Sequence, residues 1–366
     1  MKSEKELVLS IESLLRKAGV PGCSLAVVGQ DGVTWSHSFG YADLLNGGRA
    51  ERSTIYHLFS GTKLFTATAA LQLVERGELD LDAGAKTHLP DLPQLGDTPL
   101  RALLSHTSGL RDTLRGFLAV YFPGEAPLST REALAAYRLR ASGARERKVQ
   151  YRNVNYAVLG EIVSRKSGLD YRDYIRHRIL APLGSDAEFE VSKFHSARLA
   201  TGYLNRWDPT RVLLRLLLPA ASKRLYRGWV KNGLVALNDY NLSTAAIGGL
   251  IGSVDSFAPF LQSQLNHGFP LLREETTKWM QTLVARGRAG VESTTGVGLG
   301  WKVGDTNGRR FLNHEGSGAG FRSELRLYPD EGLGMVVLMN KSSLSRTMRV
   351  AHETCELIRK NRGTLP

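Results

Sequence analysis

Several features that would assign this chain of 366 residues to a simple class are absent. Its only cysteines, Cys23 and Cys355, belong to no Cys-x-x-Cys pair and no Cys/His cluster. The sequence therefore predicts no disulfide framework and no metal site, and we expect two buried thiols. No apolar run reaches the roughly 20 residues that cross a bilayer. The Gly-x-Ser-x-Gly elbow of α/β-hydrolases is missing, and the glycines at 296–300 do not fit a dinucleotide fingerprint, so no cofactor is predicted.

The N-terminus lacks the continuous apolar stretch of an export signal. Leu7, Ile11, Leu14 and Leu15 instead share one helical face, and Gly19 follows as a stop signal. We therefore expect an amphipathic opening helix and a cytoplasmic location.

The charge is unbalanced, with 48 basic against 35 acidic residues and a net charge of +13. The basic residues are scattered, however, and no nucleic-acid-binding module is recognisable. A solvated, arginine-rich surface is thus favoured over nucleic-acid binding. The oligomeric state is left open.

Strand patterns occur at both ends of the chain, and helical patterns lie between them. A hairpin is predicted by two apolar runs on either side of Gln30–Gly32, and a last helix is expected around 343–360. The fold class is therefore α+β, an antiparallel sheet formed from both chain ends, flanked by helices and carrying an inserted, mainly helical subdomain. We place one subdomain at 1–75 with 240–366 and the other at 76–239. The runs that predict strands are 23–29, 33–42, 311–314, 321–328 and 334–339.

Ser60 begins a helical pattern that runs to Arg76, and Lys63 follows three residues later. Residues three apart share a helix face, so the Ser60 hydroxyl and the Lys63 amine can meet. A helix N-terminus also offers free backbone N–H groups to a developing oxyanion. Taken alone, a Ser-x-x-Lys string is weak, because chance supplies one in a chain of this length.

Two further motifs accompany Ser60 and Lys63 in order along the chain. Tyr151-Arg152-Asn153 precedes a helical stretch at 154–166, and His314-Glu315-Gly316-Ser317 follows a strand-like run. With Ser60-Gly61-Thr62-Lys63, this set resembles the serine β-lactamase and penicillin-binding-protein superfamily. In particular it looks like the class C-related branch, which includes family VIII esterases and D-amino-acid-specific peptidases. Further strings in the same order extend the resemblance from about residue 20 to 340: Val20–Gly22, Leu104–Leu110, Tyr151–Gly160, Gly248–Leu250, Gly298–Trp301 and Gly318–Phe321.

The resemblance implies a role for each matching residue. Ser60 attacks the substrate carbonyl, while Lys63 and Tyr151 share the proton transfers, with the first general base left open. Asn153 hydrogen-bonds Lys63 and the substrate, with His314 and Gly316 completing the binding site. The backbone N–H groups of Ser60 and Ser317 form the oxyanion hole.

The motif at His314 departs from the Lys-Thr-Gly that is usual in β-lactamases and carboxypeptidases. Histidine is mostly neutral at pH 7, and Glu315 adds a negative charge. We therefore expect weak recognition of substrate carboxylates, which favours esters over β-lactams. Arg322 could restore a cation, but an exposed strand arginine is the favoured interpretation. The isolated histidines are interpreted as structural: His88, His106, His195, His267 and His352.

Near 206–240 the chain carries an apolar and basic insertion, whose central part is Val212–Asn238. The favoured interpretation is a lid or acyl-pocket wall formed by Leu213, Leu217 and Trp229. An interfacial segment in contact with lipid and a partner-binding surface are the alternatives. Pro219 and Gly228 argue against one continuous amphipathic helix.

These features together predict a serine hydrolase, in the first place a carboxylesterase acting on short to medium acyl esters. A β-lactamase, a D-amino-acid peptidase or amidase and an acyltransferase could use the same site. The alternative from another class is a catalytically silent binding or sensing protein.

Overall fold

The computed structural model describes residues 2–111, 119–135, 137, 139, 148–208, 211–212, 216, 219–230, 233–287, 294–342 and 346–365. Most of its strands form one antiparallel sheet, with the order β11-β12-β13-β14-β15-β16-β1-β2-β3. In chain order the strands are β1 (Gly22–Gly29), β2 (Gly32–Asp43), β3 (Gly48–Arg49), β4 (Tyr56–His57), β5 (Val120–Tyr121), β6 (Tyr203–Asn205), β7 (Tyr226–Val230), β8 (Leu234–Leu237), β9 (Asn241–Leu242), β10 (Ile251–Gly252), β11 (Ala285–Arg286), β12 (Thr294–Val297), β13 (Lys302–Thr306), β14 (Arg309–Gly318), β15 (Phe321–Tyr328) and β16 (Leu333–Met339).

Helices cover both faces of this sheet and fill the middle of the chain. They are α1 (Glu4–Lys17), α2 (Thr62–Glu75), α3 (Ala85–His88), α4 (Leu100–Leu104), α5 (Thr130–Ala135), α6 (Asn153–Ser167), α7 (Tyr171–Ile175), α8 (Pro219–Leu225), α9 (Ala245–Gly248), α10 (Val254–Leu265), α11 (Glu274–Gln281) and α12 (Arg346–Lys360). The opening helix, the helix after Ser60 and the helix at 154–166 are thereby confirmed as α1, α2 and α6.

The two chain ends meet where β1 pairs antiparallel with β16, from Cys23 opposite Met339 to Val28 opposite Gly334. Both strands are buried and, apart from Ser24 in β1, carry no polar side chain, because helices cover both faces. Val27 packs in the core cluster of α1 and α12, and Val28 packs in the cluster that contains α2 and α10. The pairing confirms the predicted α+β fold with a sheet built from both ends.

Helix α2 is buried more completely than its sequence pattern indicates. The spacing of Leu64, Ala67 and Leu71 predicts one apolar face, yet Phe65 and Ala69 are also fully buried. The reason is that α2 lies at the centre of the molecule, in contact with α6, α9 and α11. Thr62, the first residue of this helix, is consequently fully buried, whereas Ser60 just before it is half-buried.

The other expectations for the fold have mixed outcomes. Cys23 and Cys355 are both buried free thiols, as expected. The first three residues of the predicted last helix, 343–345, lie outside the described residues, and the division into two subdomains stays a prediction. Among the described helices, none combines the length and the hydropathy needed to cross a membrane.

Candidate active site

Ser60 lies in a short 3-10 turn, Phe59–Gly61, that leads into α2, so the α-helix itself starts two residues later than predicted. Phe59 has a φ of 48°. A residue other than glycine adopts this left-handed conformation only where its surroundings impose it. The Phe59 ring stacks on His57, with 5.4 Å between ring centroids. Local strain beside the nucleophile is therefore held in place by aromatic packing.

Strand β14 packs against this turn at two glycines. A Cβ at Gly316 would lie 2.0 Å from the backbone oxygen of Leu58, and a Cβ at Gly318 would lie 2.0 Å from a ring carbon of Phe59. Ser323 on β15 donates a hydrogen bond of 2.6 Å to the same Leu58 oxygen. Glycine at 316 is thus needed for the close approach that brings Ser60 beside β14.

Ser60 and Lys63 meet as predicted. The Lys63 ammonium donates to the Ser60 hydroxyl oxygen over 3.0 Å and to the backbone oxygen of Ile247 over 2.7 Å. The Lys63 side chain is fully buried. The contact with Ile247, in α9, fixes the direction of the lysine, so the nucleophile and its amine neighbour are preorganised.

Tyr151 lies at the centre of a group of basic side chains. Its ring centroid is 5.2 Å from Nζ of Lys63, 4.9 Å from Nζ of Lys302 and 6.0 Å from the centroid of the His314 ring. The three predicted motifs, far apart in the sequence, are therefore brought together around one phenol ring. Lys302 is an addition that sequence reasoning missed.

His106 supports Tyr151 from the other side, although the sequence suggested only a structural role. Their ring centroids are 4.4 Å apart. Nδ1 of His106 accepts a hydrogen bond of 3.1 Å from the backbone N–H of Arg152, the residue after Tyr151. Burial, together with the charges of Lys63 and other neighbours, holds the pKa of His106 well below its ordinary value. The ring is therefore neutral, and it ties the loop of Tyr151 to the helical region. The only sequence signal was its place in the family string Leu104–Leu110.

His314 is fully buried, and its Nδ1 lies 3.0 Å from the backbone oxygen of Glu315. Burial, with the charges of Lys302 and Lys63, keeps the pKa of His314 well below its ordinary value. The expectation of a neutral ring at this position agrees with that shift.

Glu315 does not act as an unbalanced negative charge, because Lys302 forms a buried ion pair with it. Burial alone would raise the pKa of Glu315, but the charges of Lys302 and Arg322 hold it below its ordinary value. The Glu315 charge is thus neutralised inside the protein. No sequence pattern indicates this pair, because only the pairing of β13 with β14 brings the two residues together.

Arg322 corrects one expectation. The sequence suggested an exposed strand arginine, but its exposed fraction is 2%. It lies opposite Ser317 in the pairing of β14 with β15, and helices cover the sheet on both sides. Its Nε and Nη2 atoms have no hydrogen-bond partner among the described residues.

Asn153 and Ser317 occupy positions compatible with their predicted roles. Asn153 is the first residue of α6, two residues after Tyr151. Ser317 lies near the end of β14, past the point where Lys302 of β13 pairs with Asn313. In the described part of the chain, no strand pairs with 314–318 on that side, and Ser317 itself is half-buried. The oxyanion hole and the Asn153 contacts stay predictions.

The acyl-pocket residues fall partly outside the described structure. Leu213 and Leu217 are not among the described residues. Trp229 lies on β7 with an exposed fraction of 56%, and Arg206 and Arg211 are placed over its ring. A lid role for these three side chains stays a prediction.

The chain is also similar in sequence to known proteins. The Beta-lactamase family model matches residues 10–354. Protein flp of Staphylococcus aureus (strain NCTC 8325 / PS 47) is 24% identical over a region that covers 98% of this chain and 68% of that protein.

Two solved structures are similar over nearly the whole chain. D-amino acid amidase from Ochrobactrum anthropi SV3, complexed with D-phenylalanine, has a TM-score of 0.79 and 23% identity, with 97% of this chain and 99% of that chain covered. The octameric penicillin-binding protein homologue from Pyrococcus abyssi has a TM-score of 0.78 and 24% identity, with 96% and 77% covered. At these identities the likeness shows a shared fold.

Proposed function

Since the chain belongs to the β-lactamase family, we propose that it is a serine hydrolase that forms an acyl-enzyme on Ser60. The observation that carries the proposal is the 3.0 Å contact between the Ser60 hydroxyl and the buried Lys63 ammonium. The ring of Tyr151 lies within 5.2 Å of the same ammonium. A nucleophile in contact with one titratable group, and near a second, is the arrangement that covalent catalysis requires.

In acylation the Ser60 oxygen attacks the ester carbonyl carbon, and its proton passes to Lys63 in its neutral amine form or to Tyr151 in its phenolate form. The same pair then delivers a proton to the alcohol oxygen as the C–O bond breaks, which leaves the acyl group esterified to Ser60. In deacylation a water molecule attacks this ester, its proton returns to Ser60, and the acid leaves. The N–H groups of Ser60 and Ser317 stabilise the oxyanion in both steps.

The proposed substrates are short to medium acyl esters without a carboxylate near the scissile bond, which makes the protein a carboxylesterase. Three features around the site support this choice. His314 is neutral where carboxylate-binding relatives carry lysine, the charge of Lys302 is engaged by Glu315, and the buried Arg322 also interacts with the Glu315 charge. The substrate class follows from these charges, and the acyl-enzyme step does not depend on it.

Covalent labelling tests the nucleophile. Incubation with a fluorophosphonate, followed by intact-mass measurement, should add one adduct to the wild type and none to Ser60→Ala. Ser192→Ala is the matched control, because Ser192 is an exposed serine on a different turn, and it should label like the wild type. Absence of an adduct on the wild type would favour the silent binding or sensing protein.

Relative rates then rank the substrates. We expect p-nitrophenyl acetate and butyrate to be hydrolysed faster than nitrocefin and D-phenylalanine amide. Faster turnover of nitrocefin would point to a β-lactamase, and faster turnover of the amide to a D-amino-acid amidase. Preferential transfer of the acyl group to an added alcohol would indicate an acyltransferase. Any of these three results would overturn the carboxylesterase assignment while leaving the Ser60 acyl-enzyme intact.

A further inference from the structure

Two tryptophans are exposed on the surface of the insertion, and one arginine joins them. Trp207 has an exposed fraction of 82% and Trp229 one of 56%. The guanidinium carbon of Arg206 lies 5.2 Å from the Trp207 ring centroid and 5.3 Å from that of Trp229. Although 22 positions separate them in the sequence, the two indoles therefore belong to one continuous surface.

Arg211 extends this surface. Its guanidinium carbon lies 4.7 Å from the Trp229 ring centroid, and its backbone oxygen accepts a hydrogen bond of 3.3 Å from Tyr226. Val212 and Leu216, which follow, have exposed fractions of 58% and 74%. We refer to this set, which is exposed apart from the half-buried Arg211, as the Trp–Arg patch: Arg206, Trp207, Arg211, Val212, Leu216 and Trp229.

The sequence segment that carries the Trp–Arg patch is basic, although Arg224 and Arg227 in it pair with Glu125 and Asp43. Residues 206–231 include seven lysines and arginines and a single acidic residue, Asp208. Asp208 is buried, with 4% exposed, so its charge offsets little at the surface. Arg206 and Arg211 form no ion pair with any carboxylate in the described part of the chain. This short segment thus carries almost half of the net charge of +13.

Exposed indoles with guanidinium groups beside them are suited to the boundary between water and lipid. The tryptophan ring is apolar but carries an N–H donor, and such rings concentrate at the headgroup level of bilayers. Basic side chains near an anionic membrane gain on the order of 1 kcal/mol each. From the sequence alone, a lid was favoured over lipid contact for this segment. The joint exposure of Trp207 and Trp229 in the structure now favours contact with lipid.

We infer that the Trp–Arg patch docks this protein reversibly on an anionic lipid surface. The docking is peripheral, because Trp229 lies on a strand of the small sheet β6-β8-β7 and the described residues supply no helix that could span a bilayer. Trp207 and Leu216 would insert at headgroup depth, while Arg206 and Arg211 would contact lipid phosphates.

The small sheet connects the patch to the candidate active site. The backbone N–H of Tyr203 in β6 donates to the Gly320 oxygen over 3.2 Å. A Cβ at Gly320 would come within 2.7 Å of Leu237 in β8. Gly320 lies in the turn between β14 and β15, three residues after Ser317. Docking would therefore hold the end of β14 at a fixed orientation to the membrane, but the docking inference itself does not require the chain to be an enzyme.

Vesicle sedimentation tests the inference directly. We expect the full chain to sediment with vesicles of phosphatidylcholine containing roughly one-third phosphatidylglycerol, and to stay in solution with phosphatidylcholine alone. High salt should release it, because screening weakens the attraction between exposed charges. The inference would be overturned if the wild-type protein bound neither vesicle type or bound both equally.

Matched variants locate the surface. Trp207→Ala/Trp229→Ala should reduce the partition coefficient at least about tenfold, through lost insertion. Arg206→Gln/Arg211→Gln should reduce it by a comparable factor and flatten its salt dependence. Trp279→Ala removes an indole that is 41% exposed on α11, and it should bind like the wild type. Apart from the half-buried Arg211, the substituted side chains are exposed, and circular dichroism checks that all variants are folded.

The lid and partner interpretations predict different results. If the double tryptophan variant binds vesicles normally but alters the acyl-chain-length preference of ester hydrolysis, the patch is a substrate lid. If Trp279→Ala loses as much vesicle binding as the double variant, the attraction is unspecific. If sedimentation velocity shows that the wild type self-associates through the patch, and it does not bind vesicles, the patch binds a second copy of this chain. Each of these results would overturn lipid docking.

Discussion

The ammonium group of Lys302, at the start of β13, forms a buried ion pair with Glu315 on the neighbouring strand β14 and lies 4.9 Å from the centre of the Tyr151 ring. The superfamily that this chain resembles usually carries a lysine at the position of His314. Here a neutral histidine occupies that position, and a cation reaches the site from the adjacent strand. The positive charge near the site therefore comes from β13 and not from the position of His314 on β14.

Breaking the Lys302–Glu315 pair should destabilise the protein more than removing the pair as a whole. We expect Lys302→Met to lower the free energy of unfolding by about 3–5 kcal/mol, because Glu315 is left buried without its counter-ion. Lys302→Met/Glu315→Leu should recover most of this loss, since no charge then stays buried. Urea unfolding of the wild type, the two single variants and the double variant measures the coupling. Equal losses in the single and double variants would contradict it.

The pH dependence of the stability difference between the wild type and Lys302→Met provides a second test of the ion pair. Since the pKa of Glu315 in the folded protein lies below its ordinary value of 4.5, its stabilising contribution is complete above that value and is lost as the pH falls. Loss of Lys302 raises the pKa of Glu315 in the folded variant, so the gap between the wild type and Lys302→Met should shrink as the pH falls from that raised value toward the wild-type pKa of about 2. Lys278→Met, an exposed lysine paired with Glu274, should stay within about 0.5 kcal/mol of the wild type at all pH values.

The charge of Lys302 should also affect catalysis through Tyr151. A nearby cation favours the phenolate over the phenol. We therefore expect Lys302→Gln to move the limb of the kcat/KM profile that reports Tyr151 to higher pH, by on the order of one unit. Hydrolysis of p-nitrophenyl butyrate across the pH range measures this, with Lys278→Gln as the control. If kcat/KM falls by the same factor at every pH and the limb stays at the same pH, Lys302 has a purely structural role.

Local patterns were sufficient to predict part of the site. Ser60 and Lys63 are three residues apart on one helical turn, and the helix after Tyr151 ends at Gly168, whose φ is 71°. These features depend on neighbours in the sequence, which is why helical spacing and stop signals predict them. The strands at the two chain ends were predicted for the same reason.

Contacts between strands could not be predicted in the same way. Lys302 reaches Glu315 only because β13 pairs with β14 in one register, and a shift of one residue would turn the lysine to the other face of the sheet. Arg322 looked exposed because its strand alternates polar and apolar residues, but helices cover both faces of this sheet. His106 lies beside Tyr151 because two loops pack against each other. Such loop packing produces no periodic pattern in the sequence.

Gly316→Ala should disable the site by displacing the turn of Ser60. The added Cβ would lie 2.0 Å from the backbone oxygen of Leu58, so the turn must move away from β14. A displacement of about 1 Å at a reacting group can cost about 100-fold in rate, and we expect at least that loss in kcat for ester hydrolysis. Gly48→Ala on the edge strand β3 is the control, because its nearest contact would be 3.8 Å away. A Gly316→Ala enzyme with normal kcat would show that the turn tolerates the shift.

Three buried histidines near the site should make the protein sensitive to acid. Burial lowers the pKa of His57 to about 3, and burial with nearby lysines holds the pKa values of His106 and His314 well below their ordinary value of 6.5. The unfolded chain binds these protons below pH 6.5, whereas the folded chain does not. Stability therefore falls as the pH drops from 6.5 toward the folded pKa values, by up to about 1.4 kcal/mol per pH unit for each histidine.

The substitution His57→Phe isolates one of these contributions. His57 stacks on Tyr240, with ring centroids 4.6 Å apart, so phenylalanine keeps the aromatic packing and removes the titration. We expect urea unfolding between pH 6 and pH 4 to give a slope of stability against pH that is smaller than that of the wild type by up to about 1.4 kcal/mol per unit. His177→Phe, at an exposed position on the surface, should leave the slope unchanged. If His57→Phe also leaves it unchanged, His57 accepts its proton in the folded protein, and its burial does not exclude the charged form.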